Sequence, residues 1–292
     1  GQKALRQWVA EYSGTGNGDD NAYAQAVDNA GNVYVTGTSF GGSSTGYDYA
    51  TIKYDASGNQ LWVARYTGPG FGAVALSIDN AGNVYVTGTS WVGNGSADYA
   101  TVKYDASGNQ LWAMRWDNQW HLQDYARDLA VDNSGNVYVT GELATIKYDA
   151  SGNQLWVQTD TSILGPVALT VDNAGNVYVT GEPSSGERAY ATVKYDASGN
   201  KLWVARHDAY IAFALAVDNT GNVYVTGVGD RQSGFGYLTI KYNASGGQLW
   251  EAVYKGSGDY DDTPTDLAVD HAGNVYVTGL RNHRDSLGNN NY

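Results

Sequence analysis

The sequence predicts an all-β protein made of six copies of one small antiparallel sheet. Three observations carry this. Glycine makes up 38 of the 292 residues, about 13 % against a usual ~7 %. The acids divide into 25 Asp and only 5 Glu; Asp and Gly favour turns, whereas Glu favours helix. Two motifs recur along the chain. Asp28-Asn29-Ala30-Gly31-Asn32-Val33-Tyr34-Val35-Thr36-Gly37 returns starting at Asp79, Asp132, Asp172, Asp218 and Asp270, and Ala50-Thr51-Ile52-Lys53-Tyr54-Asp55-Ala56-Ser57-Gly58-Asn59-Gln60-Leu61-Trp62 returns around Asp105, Asp149, Asp196 and Asn243. The first motif repeats on average every ~48 residues, a period of small stacked units.

Each period resolves into four strands. In the first, strand A is expected near Tyr23–Val27, B over Val33–Thr36, C over Tyr49–Tyr54 and D over Gln60–Tyr66. Asp-Asn-Ala-Gly-Asn joins A to B, and Asp-Ala-Ser-Gly-Asn joins C to D. In both, the Asp side chain can accept backbone NH groups of the turn, and Gly supplies the positive-φ residue. Counting back from the turn Asp, the second position of strand A is small (Ala26, Ser77, Ala130, Thr170, Ala216, Ala268), which suits close approach of neighbouring sheets. The recurring Tyr34 and Trp62 equivalents supply large apolar area.

Four antiparallel strands per period, repeated six times, is the pattern of a β-propeller. One domain over 1–292 is expected, with blades at approximately 22–66, 73–116, 126–158, 166–206, 212–254 and 264–292. Arg6-Gln7-Trp8-Val9-Ala10-Glu11-Tyr12 matches a D strand, so residues 1–12 are expected to complete the last blade and close a six-bladed ring. That blade lacks a recognisable C strand. Continuation of the natural chain beyond Tyr292 is the first expectation, with irregular pairing of 280–292 or a strand from a neighbouring molecule as alternatives.

The paired motifs resemble the SBBP-type β-propeller repeats of bacterial surface and secreted proteins, over nearly the whole chain. The resemblance implies the scaffold and carries no common catalytic set. The C–D turn followed by Trp is also similar to the tryptophan-docking repeat of quinoprotein dehydrogenases, at a spacing one residue shorter. That likeness implies shared blade mechanics; no additional ligand set for a quinone or calcium is visible.

Other classes are excluded or disfavoured. No run reaches the ~18 apolar residues of a membrane span. Without Cys, disulfide and thiolate-metal scaffolds are impossible. The net charge of −13 opposes a nucleic-acid partner. The 42 % hydrophobic content and 9 Trp argue against disorder.

The A–B and C–D turns share one end of every sheet and barely vary. The B–C and D–A loops lie at the other end and vary, which is where function is expected on a rigid scaffold. Aromatic and imidazole side chains there form the candidate ligand-binding set: Trp91, Trp116, Trp120, His121, Tyr125, His207, Tyr210 and Phe235. The third B–C loop is only Glu142-Leu143, which would leave a notch beside the Trp116–Tyr125 loop, suited to stacking on sugar rings or anchoring a peptide.

Acids gather at the same end: Asp19, Asp20, Asp124, Asp259, Asp261 and Asp262. Asp128 and Asp266 replace Ala in strand A of the third and sixth copies. In a six-fold ring they would face a central channel, with Arg127 and Gln25 nearby, as an acid–base pair, a cation site or simply a polar lining. The turn Asp residues lack calcium-loop spacing and read as turn stabilisers. The recurring Lys53, Lys103, Lys147, Lys194 and Lys241 read as structural or solvated edge residues. Scattered histidines give no zinc pattern.

The first functional expectation is a non-catalytic extracellular or cell-surface module that binds a glycan or protein, with no cofactor required and calcium as the one cation considered. A structural subunit self-associating through its terminal strands, and an enzyme using Asp128 and Asp266 at a channel mouth, are the alternatives.

Overall fold

The computed structural model describes residues 7–43, 45–67, 72–91, 96–118, 123–159, 162–185, 188–229, 236–256, 262–281, 283–284 and 290–291. Strands and turns make up the described residues, with no helix. The expected all-β class is therefore observed, as repeated four-stranded antiparallel sheets of the β-propeller type.

The first sheet is β1 (Asp20–Val27), β2 (Val33–Phe40), β3 (Tyr47–Tyr54) and β4 (Gln60–Tyr66), paired in that order. The second is β5 (Ala73–Ile78), β6 (Val84–Trp91), β7 (Ala97–Tyr104) and β8 (Gln110–Trp116). The third is β9 (Ala126–Val131), β10 (Val137–Gly141), β11 (Thr145–Tyr148) and β12 (Gln154–Gln158). The fourth is β13 (Ile163–Val171), β14 (Val177–Pro183), β15 (Ala189–Tyr195) and β16 (Lys201–Asp208). The fifth is β17 (Ile211–Val217), β18 (Val223–Gly229), β19 (Gly236–Tyr242) and β20 (Gln248–Tyr254). The last sheet holds two strands, β21 (Asp262–Val269) and β22 (Val275–Arg281), followed by the short ladder of β23 (His283–Arg284) with β24 (Asn290–Asn291). Residues 7–14 take no ladder, and among the described residues β22 pairs with β21 alone.

The chain divides into two compact units, residues 1–143 with 147–155, and residues 144–146 with 156–292. In the first, sheets pack side by side through strands β1, β5 and β9; in the second, through β13, β17 and β21.

The turns form for the expected reason. Asp28 Oδ1 accepts the backbone NH groups of Ala30 and Asn32, both at 2.9 Å, while Oδ2 accepts the Asn32 side-chain amide at 2.7 Å and the Tyr34 hydroxyl at 3.1 Å. Gly31 sits at φ 81°, a region that costs other residues strain. The C–D turn repeats this without the tyrosine: Asp55 Oδ1 accepts Ser57 and Asn59 NH at 2.8 Å.

The two middle strands of each complete sheet form the core. Tyr34, Tyr85, Tyr138, Tyr178 and Tyr224 are fully buried. Across strands B and C, Thr36 and Thr51 hydroxyls meet at 2.9 Å, as do Thr87–Thr101 and Thr226–Thr239 at 3.0 Å. Of the recurring lysines, Lys53, Lys103, Lys147 and Lys194 are buried and Lys241 is half-buried, so they are structural rather than solvated edge residues: their ammonium groups lie 4.8–5.0 Å from the ring centroids of those five tyrosines, a cation–π contact strengthened by burial.

Four D-strand tryptophans reach a following C–D turn. The indole Nε1 of Trp62 donates to Ala106 O at 3.1 Å, Trp112 to Ala150 O at 3.1 Å, Trp156 to Ala197 O at 3.2 Å and Trp203 to Ala244 O at 3.0 Å. Each acceptor lies in the following C–D turn. Trp8 makes the same contact with Ala56 O at 3.2 Å, so the N-terminal segment does what a D strand does, although it forms no ladder.

Candidate functional site

At the variable loop end, every strand A carries a bulge. In the first sheet Ala22 opposes Gly37 and Ala24 opposes Thr36, leaving Tyr23 unmatched. Val74, Arg127, Val167, Phe213 and Thr265 are skipped in the same way. The cause is the glycine that ends each Val-Tyr-Val-Thr-Gly motif. A Cβ on Gly37 would run into Asn21 O, and on Gly227 into Ile211 O, so only glycine lets the bulged backbone approach. A bulge re-aims the side chain it frees, and here that residue differs from copy to copy.

In the first unit these bulges border a pocket of about 390 Å³. Tyr23, Tyr47 and Tyr125 line it with Asn21, Thr38 and Arg127. Tyr23 is 60 % exposed and Tyr47 is 40 % exposed, so aromatic area stands open to solvent. The Arg127 guanidinium pairs with the carboxylate of Glu142, which the short third B–C loop places beside it. Val74 and Thr89 complete the wall from the second sheet. The arrangement offers ring faces for stacking beside amide and hydroxyl groups for hydrogen bonding. A second pocket of about 300 Å³ lies between the N-terminal segment and the first sheet, where Trp8, Tyr12 and Ile52 flank Gln25.

The sequence-derived set is only partly gathered. Tyr125 and Arg127 line the larger pocket and Gln25 the smaller one. Trp91 ends β6 opposite Ala97. Trp116 stacks on Tyr99, centroids 5.1 Å apart, and the register gives it a repeat position: Tyr49 faces Tyr66, Tyr99 faces Trp116, Tyr190 faces His207 and Tyr237 faces Tyr254. Trp116 and His207 are thus variants of one D-strand site. His207 Nε2 lies 3.3 Å from Glu251 Oε2. The Arg188 guanidinium covers the Tyr210 ring at 4.9 Å. Trp120, His121 and Phe235, with Asp259 and Asp261, lie outside the described residues. Asp128 and Asp266 each accept the following backbone NH, of Leu129 and Leu267, at 2.8 Å; one belongs to each unit.

Three of the loop acids fasten the D–A connection. Asp20 accepts Gly14 NH at 2.8 Å, Asp124 accepts Asn118 NH at 2.9 Å and Asp262 accepts Gly256 NH at 2.6 Å. Asp124 is fully buried. Burial first, then the neighbouring Asp117 and Asp98 carboxylates, hold it above the usual carboxylate range, against the hydrogen bonds from Asn118. Oxygens of Asp98, Asp117 and Asp124 all lie within 4.8 Å of one another. These carboxylates are the described group that could hold a cation, although Arg115 already pairs with Asp98 at 2.9 Å.

Sequence reasoning missed Tyr23, Tyr47, Asp98 and Asp117. Tyr23 falls in the expected strand A, whereas Tyr47 falls just before the expected strand C, and β3 begins two residues earlier than that, at Tyr47. The signal for Tyr23 was present: its position in strand A differs in nearly every copy (Tyr23, Val74, Arg127, Val167, Phe213, Thr265), more than the Ala or Pro before it and the Ala or Asp after it.

The fold and loop end together define a β-propeller-type repeat protein with variable side chains presented at one end of its sheets. The SBBP family model, described as a beta-propeller repeat, matches residues 122–142 and 254–283. The resemblance to SBBP-type repeats is borne out at these two segments. No curated protein matches the chain. Among solved structures, a protein of unknown function from Bacteroides caccae is similar, with 14 % identity and a TM-score of 0.52 over 80 % of this chain and 82 % of that one. That likeness concerns the fold alone.

Proposed function

We propose that this chain is a non-catalytic binding module, acting outside the cell or at its surface, that recognises a glycan through the variable loop end. One observation carries the reading: three tyrosines stand around an open pocket whose polar side chains are the Asn21 amide, the Thr38 and Thr89 hydroxyls and the Arg127 guanidinium, which is paired with Glu142. Sugar rings present CH faces to aromatic rings and hydroxyls to such polar groups. The same reading keeps Trp91, Trp116, Trp120, His121, His207, Tyr210 and Phe235 as further candidate ligand-binding residues.

The proposed frame is a single six-bladed domain over residues 1–292, with the N-terminal segment as the outer strand of the last blade. Its support is Trp8, which docks on Ala56 as a D-strand tryptophan does. Asp128, Asp266, Arg127 and Gln25 would then contribute a polar lining near the axis. No cofactor enters the proposed function.

The test is binding of the purified chain to a panel of neutral oligosaccharides, followed by calorimetry on any hit. Tyr23→Ala and Tyr125→Ala should each weaken binding about tenfold or more, in line with ~1.4 kcal/mol per decade, with Leu61→Ala at an exposed D-strand position unchanged. Equal binding by the tyrosine variants would overturn the reading, as would a protein ligand captured with no oligosaccharide bound.

A further inference from the structure

Trp250 departs from the pattern of the other D-strand tryptophans. It is 38 % exposed, and among the described residues no turn carbonyl receives its Nε1. One sheet earlier, Trp203 donates to Ala244 O at 3.0 Å and Lys194 Nζ to the same oxygen at 3.2 Å. Two side chains of one sheet therefore converge on a single carbonyl of the next C–D turn.

The last sheet shows the matching gap. Tyr276 is 59 % exposed where Tyr178 and Tyr224 are fully buried. Its hydroxyl still meets Asp270 Oδ2 at 3.1 Å, and Asp270 is held below the usual carboxylate range by the side-chain and backbone hydrogen bonds of Asn274. In the fifth sheet the corresponding pair carries a lysine: Lys241 Nζ lies 4.8 Å from the Tyr224 centroid and 3.9 Å from Asp218. Asp270 and Tyr276 thus present a negative carboxylate and a ring face that, in the other sheets, hold an ammonium group. Beside them runs the outer edge of β22, with which no described strand pairs; at its far end Leu280 O accepts the Tyr237 hydroxyl at 3.3 Å. This surface continues an interface already formed, where Ala214 and Tyr224 pack on Leu267, Val275 and Val277.

We propose that the edge of β22, with Asp270, Tyr276 and Trp250, is an acceptor for one extended segment of another polypeptide, of the kind Thr-x-Lys-Tyr-Asp-Ala-Ser-Gly-Asn. The segment adds by strand pairing. Its lysine lies over Tyr276 beside Asp270, and its turn carbonyl receives the Trp250 indole. Unpaired strand edges invite such addition, and the lysine and the turn carbonyl give it sequence selectivity beyond backbone pairing.

The experiment uses the full chain and a labelled peptide with the sequence of Ala189–Lys201, which supplies a third strand and its turn. Fluorescence anisotropy should show saturable binding, with hydrogen exchange slowing at residues 275–281. A peptide with Lys194→Ala, and protein carrying Trp250→Ala, should each bind at least tenfold more weakly. Tyr276→Ala serves as a second protein variant if Trp250→Ala alters the far-ultraviolet circular dichroism. A scrambled peptide binding as well, no binding at all, or self-association of the chain that already protects 275–281 without peptide would overturn the proposal.

Discussion

The indole Nε1 of Trp112 donates to the backbone oxygen of Ala150, 3.1 Å away in the turn of the next sheet, while its ring lies between Tyr85 and Tyr148, with centroids 6.3 and 6.4 Å away. One side chain thus holds its own sheet's core and the neighbouring turn together. The carbonyl it binds also accepts Lys103 Nζ at 3.0 Å, so the turn is fixed from two directions.

Trp112→Phe is expected to cost about 1 kcal/mol, the net value of one hydrogen bond, and Trp112→Ala about 3–5 kcal/mol through the lost ring volume. Trp250→Phe should be close to neutral, because no described carbonyl receives that indole. Urea unfolding followed by circular dichroism separates the three variants.

The two turn families should respond unequally to loss of their acid. Asp79 accepts four hydrogen bonds, including one from the Tyr85 hydroxyl at 2.9 Å, whereas Asp105 accepts three and touches no tyrosine. Asp79→Ala leaves the buried Tyr85 hydroxyl without its acceptor and is expected to cost about 2–3 kcal/mol. Asp105→Ala should lower the melting temperature by clearly less. Equal shifts in calorimetry would contradict this ordering.

Acid should destabilise the fold. For Asp28, Asp79 and Asp172, burial raises the carboxyl, but hydrogen bonds from the paired Asn and from Tyr outweigh it and hold each below its ordinary value. In Asp55 and Asp149 the Asn hydrogen bonds lead from the start. A carboxyl depressed in the folded state stabilises the fold above its unfolded value, about 3.9, and that contribution disappears as pH falls through the folded value. Asp124, raised by burial, runs the other way, but among the described residues more carboxyls are lowered than raised. The urea midpoint is expected to drop steadily from pH 5 toward pH 2, and less steeply in Asp79→Asn.

Gly227→Ala is expected to be among the most damaging single-methyl changes, because its Cβ would meet the carbonyl of Ile211 and the Tyr190 hydroxyl. The strand cannot keep its bulge and accommodate that atom, so a loss of at least ~3 kcal/mol or insoluble protein is anticipated. Val74→Thr at a bulge should stay within ~0.5 kcal/mol of the parent. Thermal melts of the two proteins suffice.

Much of the scaffold was legible because it is written several times over. The Asp and Gly of each turn, the Tyr of strand B and the Trp of strand D announced themselves by recurrence, and each does locally what its chemistry suggests. The loop end was less legible because its logic is relational. Gly37 reads as the end of a motif; its role is to make room for Asn21 and Ala22 on another strand. Trp116 looks unrepeated until the ladder aligns it with Tyr66 and His207. Asp98, Asp117 and Asp124 are far enough apart in sequence that only the folded chain brings their oxygens within 4.8 Å.

The bulge opposite each Thr-Gly pair separates two kinds of change. Residues in the ladder and turns are constrained by partners, whereas Tyr23, Val74 and Arg127 occupy positions that the ladder skips. Copying a repeat therefore copies a stable sheet together with one vacant address for chemistry. The side chain there can change without disturbing the hydrogen-bond ladder.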